Sequence, residues 1–480
     1  MEGIVHFPQR IYGIENEFGV IGEYPSGAQT DILFDDEDGI GYITLEPMEH
    51  SVIASLPMPR VWHSNGSCTY LDSGLHPEHA TAECASIHDV VRFNKAGEIL
   101  SSRMFERKTP YGLKFLLFKN NMGCDEQGNI FGEFGCHENY YLHGSLCIDV
   151  MDPTAMIKFQ PLIPFLITRQ IFDGAGWWDT SGNLHLSQRA HGMSKEFGHG
   201  STHDRSLVQT RIGDTGSTSR MHLICGDANI LEFAIYLKMG TTALVLALFE
   251  ANRCPGLVCM NSIEALKFIS RSADPNLPTL KIQNERMFSA LETQFLFLNA
   301  VRQELPGATF ANDEIEAEVK RIVYYWDAAL NAIEKHDEEW MRGRFDYATK
   351  QYLIERQCAR LGITDESKKF LLRKNFDIFY HGIYDRTLQE RMNKMWNKRR
   401  IVTDAEISNA MLNPPINTRA RMRGMFVRAC TDKNTHAIPY IDWKGVGKAG
   451  PPYTRFLFDD PFAYDAPDFE SFISCYNYNV

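Results

Sequence analysis

The stretch Gly13-Ile14-Glu15-Asn16-Glu17-Phe18-Gly19 lies within a strand-like run, Arg10–Ile21, and its reading decides the fold. Side chains alternate across a strand, so Glu15 and Glu17 point to the same face, roughly 7 Å apart. Two carboxylates aimed into one space repel unless cations share it, and hard cations such as Mg²⁺ take oxygen ligands and arrive with substrate phosphates. On this pair alone the blander reading, a solvated sheet face, is favoured.

A second acidic segment shifts the balance. Tyr70-Leu71-Asp72-Ser73-Gly74-Leu75-His76-Pro77-Glu78-His79-Ala80-Thr81-Ala82-Glu83-Cys84 packs three acids, Asp72, Glu78 and Glu83, and two histidines around a Gly/Pro loop. Tyr70 and Asp72 share a strand face. An ordinary aspartate is ionised at neutral pH, so Asp72 is a candidate general base. The sequence has no HExxH and no paired Cys/His spacing, which disfavours zinc and leaves an oxygen-rich site for Mg²⁺ and ATP. Neither a Walker A loop nor a GxGxxG leading from a strand into a helix is present. A nucleotide site here therefore uses neither common phosphate loop.

Further along the chain, strand-like runs at 68–71, 113–119 and 140–146 are broken by Gly, Asn and Asp. A helix is expected over 153–175, a loop over 174–183, a strand at 221–225 and an apolar helix over 231–251 with Gly240 as a close-packing point. Beyond about residue 255 the pattern turns helical. Ile315, Val319, Ile322, Val323, Trp326, Ala329 and Ile333 fall on one 3.6-residue stripe. The expected class is α+β, a catalytic domain over 1–400 and a small C-terminal domain over 401–480.

The 480 residues allow up to roughly three domains, and 44% hydrophobic content supplies a large core. The net charge of −12 argues against a dedicated nucleic-acid binder, whose affinity rests on excess Lys and Arg. Eleven cysteines, scattered singly without a CxxC pair, point to reduced, buried thiols. No signal-peptide pattern opens the chain, and no apolar run reaches the ~20 residues of a membrane span. The expectation is a cytoplasmic protein with no membrane partner. Basic clusters at 368–374, 394–400 and 419–423 are candidate docking surfaces for an acidic partner, with solvated helix faces as the alternative.

Gly13–Gly19, Tyr70–Cys84, Phe118–Asn121, Cys136–Tyr140, Thr168-Arg169-Gln170, Leu186–Ala190, Gly226-Asp227-Ala228-Asn229, Leu237–Val245, Pro414–Gly424 and Ile441-Asp442-Trp443 resemble, in order, the motifs of the Pup ligase/depupylase family. The resemblance implies a glutamine-synthetase-like fold, a curved antiparallel sheet flanked by helices, with a small C-terminal domain. It also implies ATP and Mg²⁺ as cofactors. The partners implied are a small, disordered Pup-like protein modifier and target proteins bearing surface lysines. In the ligase reaction a glutamyl side chain of the modifier is phosphorylated by ATP and then attacked by a lysine amine. By position, Glu15, Tyr70 and Glu78 match metal-site residues, Asp72 the catalytic base, and Thr81 and Trp443 nucleotide contacts. Glu17 and Glu83 extend the candidate metal set and His222 the nucleotide set. His137, Asn139, Arg189 and Arg211 are candidate contacts to the modifier.

Two departures stand out. Cys68 occupies a position where the family carries an arginine expected to contact ATP, and Arg211–Ser217 replaces an acidic, histidine-bearing loop. The short interval from Glu17 to Asn65, and Cys136, resemble the ligase branch, whereas Gly226–Asn229 is nearer the depupylase. Hydrolysis or deamidation of such conjugates, a catalytically impaired modifier binder and a small-molecule glutamate–amine ligase are the alternatives.

Overall fold

The structure is a computed structural model describing residues 4–27, 29–31, 47–54, 60–72, 76–106, 112, 114–124, 130–143, 157–198, 205–209, 220–282, 286–432, 439–451 and 453–478. The chain divides into two compact units. One comprises Met1–Arg10, Asn120–His381 and Thr387–Ile401, and the other Ile11–Lys119, Gly382–Arg386 and Val402–Val480.

The unit containing Ile11–Lys119 is built on five antiparallel strands: β1 (Tyr12–Glu17), β2 (Ser51–Ala54), β3 (Arg60–His63), β4 (Cys68–Leu71) and β5 (Pro77–Ala80). They lie in the order β1-β5-β4-β3-β2. The β3–β4 hairpin turns at Asn65-Gly66. The Asn65 carboxamide oxygen accepts the Ser67 N–H at 3.0 Å, and Gly66 sits at φ 82°, where a side chain would be strained. Helix α1 (Ile87–Phe105), capped by Ser86, covers one face of this sheet. There Asn16 donates to Asn94 at 2.6 Å, and the His79 ring lies against Gly97 so closely that an added Cβ would stand 2.4 Å from it.

Val402–Val480 belongs to this same unit, packed with Ile11–Lys119. The reason is a buried charge cluster. Glu83 receives Arg419 Nε at 2.9 Å and both terminal nitrogens of Arg423, while the Thr418 hydroxyl donates to the Glu83 carbonyl at 2.8 Å. Met422, Phe426 and Val427 then pack on Trp62 and Cys68. The Pro414–Gly424 motif is thus explained by packing, and Gly424 meets the Ser64 carbonyl where a Cβ would come within 2.3 Å.

In the other unit, Cys136–Tyr141 pairs antiparallel with Arg220–Leu223, which pairs antiparallel with Ser206–Gln209. Lys195–Gly198 adds parallel to the last. Helix Glu232–Glu250 is apolar on every side and is the one helix among the described residues long and apolar enough to cross a membrane, yet it is buried over its whole apolar window, as a core helix is. Its Gly240 lets Ile322 of helix Asp313–Glu334 approach, where a Cβ would sit 2.9 Å away. All seven residues of the expected stripe on that helix are buried. Of the helix expected over 153–175, residues 153–156 lie outside the described residues. The rest is helical but broken, a 3₁₀ turn Gln160–Leu162 followed by helices Ile163–Thr168 and Gln170–Asp173, with Pro161 and Pro164 each withholding a backbone donor near the start. Antiparallel strands segregated from long helices make the fold α+β, as expected.

Candidate functional site

Residues paired directly across a sheet share a face. Reading the register along one row gives Arg60, Tyr70, Glu78 and Glu17; the next row gives Trp62, Cys68, Ala80 and Glu15. Glu15, Glu17, Tyr70 and Glu78 therefore all stand on the face opposite α1. Asp72 follows Tyr70 on the same alternation, and its N–H donates to the His76 carbonyl at 3.1 Å. The His76 Nε2 lies 3.1 Å from Glu17 Oε2, and ligand atoms of Glu17, Asp72 and His76 lie within 4.8 Å of one another. His76 thus joins the cluster; its place two residues before Glu78 was the only sign of this in the sequence.

The electrostatics of this face are lopsided. Burial, followed by the carboxylates of Glu15, Glu17 and Asp72, pushes the Glu78 carboxyl well above the ordinary carboxylate range, against a hydrogen bond from Tyr70 that lowers it. The Tyr70 phenol is likewise raised by burial and by Glu78 and Glu15. Four acids and a phenol oxygen crowd one face, and hard divalent cations relieve that repulsion. Glu15, Glu17, Glu78 and Tyr70 present the all-oxygen donor set that such an ion takes, so the residues fit it.

Glu83 has a different setting from the one expected of it. Burial raises its carboxyl, but Arg423 and Arg419 outweigh this and hold it below the usual range. Its two oxygens are engaged by guanidinium groups, so it serves as the clamp of the C-terminal segment and not as an ion ligand. Arg419 and Arg423 are correspondingly buried and are not a docking surface. Thr81 is buried, its hydroxyl accepting the Ile14 N–H at 3.0 Å. Trp443 packs edge-on to Trp62 with ring centroids 4.9 Å apart, and the Arg423 guanidinium carbon lies 4.7 Å from its ring centroid. Cys68 is fully buried among these aromatic and aliphatic groups, so the position expected to carry a phosphate-contacting arginine is core here.

Behind the acidic face, His63 Nε2, Thr69 Oγ1 and His79 Nδ1 form a buried chain with two 2.9 Å links. Burial lowers His63 to about 4, and burial together with His63 lowers His79, so both rings are neutral. Neither His63 nor Thr69 stands out in the sequence, since an isolated strand histidine carries no pattern.

In the other unit, Asn139 and His222 are cross-strand partners, with Asn139 Oδ1 2.8 Å from His222 Nδ1, and the His137 ring stands 5.0 Å from His222. The three form one cluster, although His222 was expected with the nucleotide and the others with the modifier. Arg189, expected to contact the modifier, is instead buried: its Nε donates to the Ile224 carbonyl at 3.0 Å. Its N–H, the N–H groups of Ala175 and Gln188 and the Ser187 hydroxyl all donate to Asp227. The Ala228 N–H donates to Asn121 Oδ1 at 2.7 Å. Gly226 lies where a Cβ would stand 2.2 Å from Glu138 Oε1, which itself takes a two-pronged salt bridge from Arg169. The Leu186–Ala190 and Gly226–Asn229 motifs thus hold one another together. Arg211 lies outside the described residues.

The family model for Pup-ligase protein matches residues 10–447. The Pup–protein ligase of Acidimicrobium ferrooxidans is 33% identical over 469 residues, covering 95% of this chain and 96% of that protein, and the one from Jonesia denitrificans is 31% identical over 472 residues, covering 95% and 96%. The crystal structure of the complex between prokaryotic ubiquitin-like protein Pup and its ligase PafA matches at TM-score 0.78 and 27% identity, covering 98% of this chain and 93% of that one. The structure of the ligase PafA with ADP matches at TM-score 0.72 and 28% identity, covering 88% and 90%. With the matches spanning nearly its whole length, the chain belongs to the Pup-ligase family.

Proposed function

We propose that this protein is a cytoplasmic, ATP- and Mg²⁺-dependent carboxylate–amine ligase. It joins the side-chain carboxylate of a C-terminal glutamate on a Pup-like modifier to a lysine of a target protein. The observation that carries this reading is the single face holding Glu15, Glu17, Tyr70 and Glu78 with Asp72 beside it, in a chain whose relatives include a ligase seen with Pup and one seen with ADP.

Glu15, Glu17, Glu78 and Tyr70 would hold the divalent cation. When bound, the ion offsets phosphate charge as the terminal phosphoryl moves to the glutamyl carboxylate. Asp72 receives a proton from the incoming lysine, whose ordinary pKa near 10.4 leaves it cationic and non-nucleophilic. The neutral amine attacks the acyl carbon, phosphate departs, and an isopeptide bond results. Trp443 and Thr81 contact the nucleotide, and the His137–Asn139–His222 cluster faces the modifier.

The test is to incubate the protein with ATP, Mg²⁺, a Pup ending in glutamate and a lysine-bearing target, then search the target by mass spectrometry for a lysine adduct of Pup minus water, with ADP released. Cleavage of a preformed conjugate without adduct formation would assign hydrolysis instead. Neither outcome, with no ADP formed, would mark a binding protein.

A further inference from the structure

The acidic face that the proposed ligase uses for its nucleotide has to accept a polyanion, and its own ionisable groups are almost all of the wrong sign. Along β1 to β5 the only lysine or arginine is Arg60, on β3. Its register partner on β4 is Tyr70, whose partner on β5 is Glu78, whose partner on β1 is Glu17. Arg60 therefore closes the row that contains three of the four candidate ion ligands, on the same face of the sheet.

Its side chain is directed along that row. The guanidinium carbon stands 4.8 Å from the centroid of the Tyr70 ring, so the planar group rests on the phenol that hydrogen-bonds Glu78. Across from Arg60 on β2 is Ala54, too small to displace it. Two positions further along the same face, Cys68 and Trp62 are fully buried among Phe426 and Val427 and offer no charge. Arg60 is only half-buried.

We propose that Arg60 is the phosphate-binding cation of the site, taking non-bridging oxygens of the nucleotide's terminal phosphates beside the ion held by Tyr70, Glu78 and their neighbours. A guanidinium suits this because its fork of donors matches two phosphate oxygens and it stays charged at every working pH. Stacking on Tyr70 fixes the fork before the nucleotide arrives, so little side-chain freedom is lost on binding.

This rests on the ligase reading, and the experiment separates the two. Mg·ATP affinity is measured by titration calorimetry for the full-length protein, Arg60→Ala and Arg60→Lys, and adenosine is titrated as a competitor. The expected result is a fall of at least about 10-fold in Mg·ATP affinity for Arg60→Ala, an intermediate value for Arg60→Lys, and unchanged competition by adenosine. Equal Mg·ATP affinity in wild type and Arg60→Ala overturns the assignment. So does a parallel loss of ATP and adenosine, which marks a structural role. Wild type that fails to bind Mg·ATP overturns the ligase reading itself, and the Arg60 assignment with it. Should Arg60→Ala not fold, Arg60→Gln, which keeps the stem and a planar head without the charge, gives the same comparison.

Discussion

Tyr70 and Glu78 face one another across adjacent antiparallel strands, and the phenol donates a hydrogen bond to the carboxylate. That bond favours a charged Glu78; burial and then Glu15, Glu17 and Asp72 all oppose it. A carboxyl raised in the folded state gives stability that is complete below its ordinary pKa and is lost as pH climbs through the raised value. Without an ion, then, the acidic face works against folding at neutral pH.

The first expected outcome follows from that conflict. Glu78→Gln keeps the shape and removes a charge, so the ion-free protein should melt at pH 8 at or above the wild-type temperature. The stabilisation given by saturating Mg·ATP, about 2.7 kcal/mol at a hundredfold excess over Kd, should shrink towards zero. Thermal melts with and without Mg·ATP check this. A variant with a lower ion-free midpoint but a full ligand shift would remove Glu78 from the ion site.

Asp72 is proposed to move a proton in place of holding an ion. Asp72→Asn should slow isopeptide formation with lysine by about 10²–10⁴-fold while Mg·ATP still binds. An amine that is already neutral at pH 7, such as hydroxylamine, needs no such base and should still be acylated by the variant. Quantifying both products at one pH makes the comparison. Equal losses with lysine and hydroxylamine would show that Asp72 acts before the amine arrives.

How much of this was readable beforehand depends on how local the signal is. Alternation placed Glu15 with Glu17, and a 3.6-residue stripe identified the buried face of Asp313–Glu334, because both patterns are written within one element. Which strand lies beside which is set by packing far along the chain. The Arg60–Tyr70–Glu78–Glu17 row was therefore invisible in the sequence, although each member was in plain view. The same limit explains Glu83. It reads as one more acid in a cluster until Arg419 and Arg423, more than three hundred positions away, are brought against it. Arg189 shows the opposite case: a polar residue in a recognisable motif suggests a substrate contact, and here its backbone N–H donates to Asp227 and its Nε to the buried Ile224 carbonyl.

The Glu83 clamp should dominate the stability of its unit. Both oxygens are buried and paired, so Glu83→Ala leaves two guanidinium groups without their counter-charge, at a cost of about 3–5 kcal/mol. Because the carboxyl is held below its ordinary value, the stability it gives is present above that value and is lost as pH falls through the lowered one. Urea unfolding of Glu83→Ala, Arg423→Met and the double variant tests the pair. Arg423→Met in the Glu83→Ala background should cost far less than in wild type, and simple addition of the two single effects would show that they do not act together.

Acid sensitivity on the other side of the sheet should come from His63. The ring is neutral in the folded protein until about pH 4, against 6.5 for an ordinary histidine, because burial disfavours its charge. A base with a lowered pKa gives stability that is intact above 6.5 and drains away as pH falls towards 4, amounting to about 3 kcal/mol for this shift. His79 acts in the same direction, since its ring is wedged against Gly97, where an added Cβ would fall 2.6 Å from Nε2, and has no room for a solvated proton. His63→Leu should therefore flatten the loss of thermal midpoint between pH 6.5 and 4, while the bond from Thr69 to His79 keeps β4 and β5 in register and Tyr70 opposite Glu78. If the acid limb of the variant is as steep as that of wild type, the sensitivity lies in the carboxylates of the opposite face.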